Sequence, residues 1–139
     1  MLFHNMNIID KLRQLMTLDT GMNTAEIELR FEQIAKMLFE SFAIQKGEKK
    51  YLFKEIEFYF YNKNHRDIIT HPRVSKPLYW YVIDFGGIDL YFISSIKRVN
   101  IVNSKGKNVM KYVLDDSAYF GGILIRQLIE KESGEILKP

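Results

Sequence analysis

The run from Gly121 to Ile129, GGILIRQLI, constrains this chain more than any other stretch. It is almost continuously apolar and far shorter than the roughly 18 residues of a membrane span, which is the pattern of a central strand buried on both faces. Arg126 interrupts it. An arginine at such a place must reach the rim of the sheet or meet a carboxylate, because an unpaired buried charge is too costly.

A central strand needs neighbours, and the second half of the chain supplies them. From Tyr51 to Tyr61 residues alternate, with Ile56, Phe58 and Phe60 pointing one way and Glu55, Glu57, Tyr59 and Tyr61 the other. Leu78 to Ile83 and Ile88 to Ser94 read as hairpin partners around the turn Asp84 to Gly87. Val99 to Val102 and Val109 to Leu114 flank the turn-rich NSKGKN and form a second, protruding hairpin. Two helices precede these strands. Ile8 to Met16 carries apolar residues at helical spacing, and a second helix opens with Asn23 and Glu26 in capping-box register. Its stripe Ile27, Phe31, Ile34, Ala35, Leu38, Phe39 and Phe42 runs on until Gly47 supplies a stop.

A length of 139 residues with 47% hydrophobic content suffices to close one core. The expected architecture is a single α+β domain, with N-terminal helices (1–47) packed on a curved, mainly antiparallel sheet (48–139). Cysteine is absent, which excludes disulfides, thiolate metal sites and a cysteine nucleophile. The opening MLFHNMNIIDKLRQ has neither the basic start nor the apolar stretch of a signal peptide, so a cytoplasmic protein outside the membrane is expected. The net charge of +3 permits contact with phosphate without demanding it. Basic residues are bunched, most densely in Lys97, Arg98, Lys105, Lys107 and Lys111. Solvated loops and lysine-protected strand edges would explain such clusters equally well.

The chemistry centres on Arg126 and its partners. Glu55 and Glu57, two apart on one strand, should share a face roughly 6 to 7 Å apart. Like charge and partial burial would favour protonation of one, a nearby guanidinium would keep the other ionised, and such a pair can activate a water. A structural ion pair beside a solvated glutamate is the competing reading. Tyr59 and Tyr81 could stack on a flat ring, with His71 donating a hydrogen bond. His65, Asp67 and His71 lack a further ligand at metal-binding spacing, so neither a metal nor a cofactor is expected.

Together these segments resemble the methylpurine (alkyladenine, 3-methyladenine) DNA glycosylase family. Glu55-Ile56-Glu57-Phe58-Tyr59 is similar to its E-x-E-A-Y strand, and Asp67 with His71 matches its D-x-x-x-H spacing. Pro77 to Gly86 is similar to its strand and turn ending in Tyr-Gly, and Gly122 to Arg126 to its G-x-x-L-L-R strand. The order and approximate spacing agree over about half the chain. The resemblance implies that a damaged nucleotide is flipped out of double-stranded DNA and that a carboxylate-activated water attacks its N-glycosidic bond. In that scheme Glu57 is the base, Arg126 helps hold the water, and Tyr59, His71 and Tyr81 line the base pocket. Phe85 stands where the family has its wedging tyrosine, while Phe92 replaces an asparagine ahead of Ile93-Ser94-Ser95. Phe85, Lys97, Arg98, Lys105 and Lys107 would contact DNA. The alternative is a non-catalytic module that binds nucleic acid or a protein partner through the basic hairpin. A structural oligomer built on the first helix is a further possibility.

Overall fold

The computed structural model describes residues 7–67, 70, 72, 80–82 and 88–138, with 80–82 described in backbone only. Helix α1 (Ile8–Leu15) is capped by Asn7, whose side chain accepts from the Asp10 amide at 2.9 Å. Helix α2 (Thr24–Ser41) has the full capping box. The Glu26 amide donates to Asn23 Oδ1, and Glu26 Oε1 accepts from the Asn23 amide. The end of α1 is tied to α2 by Arg30, whose Nη1 donates to the carbonyls of Leu15 at 2.9 Å and Thr17 at 3.2 Å. Those bonds satisfy carbonyls that the helix leaves without an internal partner.

The second helix stops before Gly47. Phe42 is already extended, and Ala43–Lys46 forms strand β1, antiparallel to the start of β2 (Lys49–Asn62). Phe42 and Ile44 are half-buried while Ala43 and Gln45 are exposed, so the repeat there is two and not 3.6. Gly47, at φ +61°, turns a hairpin rather than capping a helix. The remaining strands are β3 (His65–Arg66), β4 (Trp80–Val82), β5 (Ile88–Tyr91), β6 (Lys97–Val102), β7 (Asn108–Val113), β8 (Phe120–Glu130) and β9 (Ile136–Leu137).

The main sheet has the order β1-β2-β8-β5-β4 and every pairing in it is antiparallel; β3 joins the edge of β2, and β9 that of β8. Strand β8 is central, as its apolar run predicts. The chain is thus an α+β protein in which the helices cover one sheet face. There Phe60, Phe92, Ile123 and Ile125 meet Leu12, Met16, Ile27, Ile34 and Leu38, all essentially without solvent contact. Phe31 of α2 stacks on Phe58 with ring centres 4.6 Å apart.

Two devices fix this arrangement. The β2–β8 ladder is irregular around Glu55, with Glu55 opposite Gln127. Consequently Ile125 and Leu128, three residues apart, are both buried in the core, whereas Arg126 between them is exposed. The second device is Asn62, completely buried at the end of β2. Its Nδ2 donates to the carbonyls of Asp19 and Met22, both at 2.9 Å, and its Oδ1 accepts from the Asn64 amide. Asn64 adds longer bonds from its Nδ2 to the carbonyls of Met22 at 3.3 Å and Thr20 at 3.4 Å, so two asparagines fasten the inter-helix loop to the end of β2. Asn62→Ala is expected to cost about 2–4 kcal/mol, because it strands the Asp19 carbonyl and the Asn64 amide and leaves the Met22 carbonyl only its longer bond from Asn64. Urea denaturation measures this, and an unchanged midpoint would show that the loop is held by other means.

Candidate active site on the sheet face opposite the helices

Directly opposed residues of an antiparallel ladder share a face. On the face away from the helices, Glu57 of β2 is opposite Leu124 of β8, Leu124 is opposite Asp89 of β5, and Asp89 is opposite Tyr81 of β4. Four consecutive strands thus place Glu57, Leu124, Asp89 and Tyr81 in one transverse row. The neighbouring row is Tyr59, Gly122 and Tyr91. Further along, Tyr61 stacks on Phe120 at 5.0 Å with the rings within 10° of parallel. Gly122 is needed here for space. A Cβ at this position would lie 2.8 Å from the Tyr59 hydroxyl and 2.9 Å from the Leu90 carbonyl oxygen. The phenol of Tyr59 therefore lies over bare backbone, which forms the floor of this part of the face.

Arg126 meets its carboxylate. Its Nη2 donates to Glu57 Oε2 at 3.0 Å, and each side chain is about half exposed, 51% and 52% respectively. The hydrogen bond from Glu57, then the charge of Glu57 and, more distantly, that of Glu55, hold the guanidinium above its ordinary pKa. Arg126 is thus a fixed cation that occupies one carboxylate oxygen of Glu57. Among the described residues the other oxygen, Oε1, accepts no hydrogen bond. This geometry can orient and deprotonate a water.

The structure brings together Glu57, Arg126 and Tyr59, and its register puts Tyr81 in the same row as Glu57. It also corrects two details. Glu55 is exposed and Glu57 about half exposed, so the pair is less buried than expected, and Glu55 lies at the irregularity rather than in regular alternation with Glu57. His71 and Phe85 lie outside the described residues. Asp67 is half-buried, and its amide donates to the His65 carbonyl at 3.1 Å. Phe92, standing where the glycosylase pattern has asparagine, is fully buried on the helix side, edge-on to Phe60 at 6.0 Å. It belongs to the core and not to the site, which accounts for its apolar character. Sequence reading passed over Asp89, which is only 5% exposed. The available signal was an acidic residue flanked by Ile88 and Leu90 in an otherwise apolar strand.

The second candidate surface is the ribbon β6–β7, a separate two-stranded sheet. A bridge between Ser95 and Tyr119 joins its base to the rest of the chain, and Lys97 pairs there with Asp115 at 3.2 Å. Hydrogen bonds from the Ser117 hydroxyl and amide, together with Lys97, hold the Asp115 carboxyl below its ordinary pKa. Lys97 is therefore engaged at the base. Arg98, Lys105, Lys107 and Lys111 are exposed and have no ion-pair partner among the described residues. The tip is shaped by Asn103, whose Oδ1 accepts from the amides of Lys105 at 2.9 Å and Lys107 at 3.0 Å, with Gly106 at φ +75°.

Elsewhere, an apolar cavity of about 200 Å³ lies on the helix side of the sheet between Ile9, Leu38, Phe42 and Phe53. Its lining carries no titratable group. Among the described residues no cluster of three His, Asp or Glu is placed to hold a metal, and no helix is long and apolar enough to cross a membrane. Comparison with protein-family models, curated proteins and solved structures gives no match to this chain.

Proposed function

We propose that this chain is a DNA glycosylase-like hydrolase that cleaves the N-glycosidic bond of an alkylated or deaminated purine held on the sheet face opposite the helices. The observation that carries this reading is the Glu57–Arg126 pair. Here a half-exposed carboxylate is fixed through one oxygen by a permanent cation and keeps its other oxygen for a water. In the proposed reaction Glu57 accepts a proton from that water as its oxygen bonds to the sugar carbon. Arg126 keeps the carboxylate oriented and balances its charge before the proton arrives. Tyr59, over the Gly122 floor, would stack on a flat base. The test is release of 3-methyladenine, hypoxanthine or ethenoadenine from duplex oligonucleotides, scored by cleavage at the abasic site. Release from at least one substrate is expected; its absence across the panel would overturn the reading.

A second reading, a non-catalytic nucleic-acid binder, is favoured by the charge of the ribbon. Residues 97–114 contain five basic residues and no acidic one, so that with a net charge of +3 the rest of the chain sums to −2. A two-stranded ribbon is narrow enough to enter the major groove of duplex DNA. With four available cations, log affinity should fall with log salt at a slope of about −3.5, which is roughly a hundredfold between 50 and 200 mM salt. Lys105→Glu with Lys107→Glu should roughly halve that slope in fluorescence-anisotropy titrations. An unchanged slope would remove the ribbon tip from binding.

A further inference from the structure

Proteins keep the open edges of their sheets from stray pairing by making them short, charged or covered. The outlying strands of the main sheet, β1, β3, β4 and β9, obey this at two to four residues each. Strand β6 does not. It runs for six residues, pairs only with β7 among the described residues, and is exposed at every position. In β7, by contrast, Val109, Tyr112 and Val113 are partly covered. The stretch from Val99 to Val102 carries no charge, so the lysines that guard other edges are missing along it. Its β-branched residues Val99, Ile101 and Val102, of the type that favours pairing, are 42%, 41% and 67% exposed. Cations without an ion-pair partner among the described residues stand at both ends of it. Arg98 lies toward the base and Lys105 and Lys107 at the tip, with Lys111 opposite Val99.

We propose that the outer edge of β6 receives an extended segment of a protein partner, acidic at its ends and β-branched between, which adds to the ribbon as a third strand. The charge pattern selects this occupant. A second copy of β6 pairing antiparallel would set Arg98 of each strand toward the Lys105–Lys107 tip of the other, and a parallel copy would set tip against tip. Like charges meet in either register, which opposes pairing. Phosphates of a nucleic acid would engage the cations and leave the uncharged edge without a partner. An acidic strand supplies carboxylates at both ends and backbone partners between them. It also brings apolar side chains beside Val99 and Ile101, which share one face of the ribbon. At about 3.4 Å per residue, a matching segment is roughly 20 Å long. This contact is independent of the chemistry at Glu57.

The test is fluorescence anisotropy of the full chain with the labelled hexapeptide Glu-Glu-Val-Thr-Val-Glu and with the same peptide N-methylated at every amide. Methylation keeps the charge and the side chains and removes the donors of the ladder. The methylated peptide is expected to bind at least about tenfold more weakly. Val99→Ser with Ile101→Ser should weaken the unmodified peptide by about tenfold and leave the affinity for a duplex oligonucleotide unchanged. Equal binding of the two peptides would reduce the contact to charge and overturn the proposal, as would binding of neither. Because that comparison uses the wild-type chain, it decides even where the double variant fails to fold. A loss of duplex affinity in the folded double variant as large as its loss for the peptide would assign the edge to nucleic acid. A wild-type dimer in sedimentation that the double variant abolishes would assign it to a second copy, and either result overturns the proposal.

Discussion

Glu57→Gln should lower base release by about 10²–10⁴-fold on neutral and cationic substrates alike, because water activation is required whatever the leaving group. The amide keeps an oxygen in the place of Oε2, so Arg126 retains an acceptor at the 3.0 Å position. With the side chain half in solvent, the substitution has little packing to disturb. The variant should melt with wild type and bind the same oligonucleotides, which separates chemistry from folding. A Glu57→Gln protein that released base at the wild-type rate would take Glu57 out of the mechanism. It would also turn the ion pair into a simple tether between β2 and β8.

The largest expected effect on stability comes from Gly121→Ala. Gly121 and Phe60 are opposed in the β2–β8 ladder, and a Cβ at 121 would land on the Tyr59 carbonyl oxygen and lie 2.7 Å from Phe60 Cα. Both obstacles are backbone, so neither can swing aside as a flexible side chain would. Relief requires opening the central pairing of the sheet, at a cost of about 3 kcal/mol or more. For a chain of this size that lowers Tm by roughly 10 °C. Thermal unfolding followed by circular dichroism measures it, and a shift under about 2 °C would show that β2 and β8 separate far more easily than their close approach suggests. Gly121 presses on the backbone of β2, and Gly122 lies beneath Tyr59. The pair thus sets strand spacing at one residue and clears the face at the next.

Much of this architecture is legible in the residues alone. The apolar run around Ile123 and Ile125 locates the central strand, and the alternation of Ile56, Phe58 and Phe60 gives its neighbour the right faces. The capping box at Asn23 and Glu26 fixes the start of the long helix. The helix ends earlier than its stripe suggests because Phe42 satisfies both a 3.6-residue and a two-residue period, and only its partnership with Ile44 decides between them. The pairing of Arg126 with a glutamate follows from the cost of burying charge. The exposure of that pair does not, since it depends on an irregularity opposite Gln127 that no local pattern announces. Asp89 escapes notice for a related reason. Its place in the row of Glu57 follows from strand order, which is a property of the whole chain.

That separation along the chain also governs the order of events in folding. Glu57 and Arg126 are 69 residues apart in sequence, and the strands that carry them meet only when a long loop closes. The ribbon β6–β7, closed by a five-residue turn, can zip on the microsecond scale, whereas the centre must wait for the slower, non-local pairing. A nascent or partly unfolded chain would therefore be able to present its cationic arm before the Glu57–Arg126 pair had formed. On the proposed function, attachment and cleavage would be competences acquired at different times.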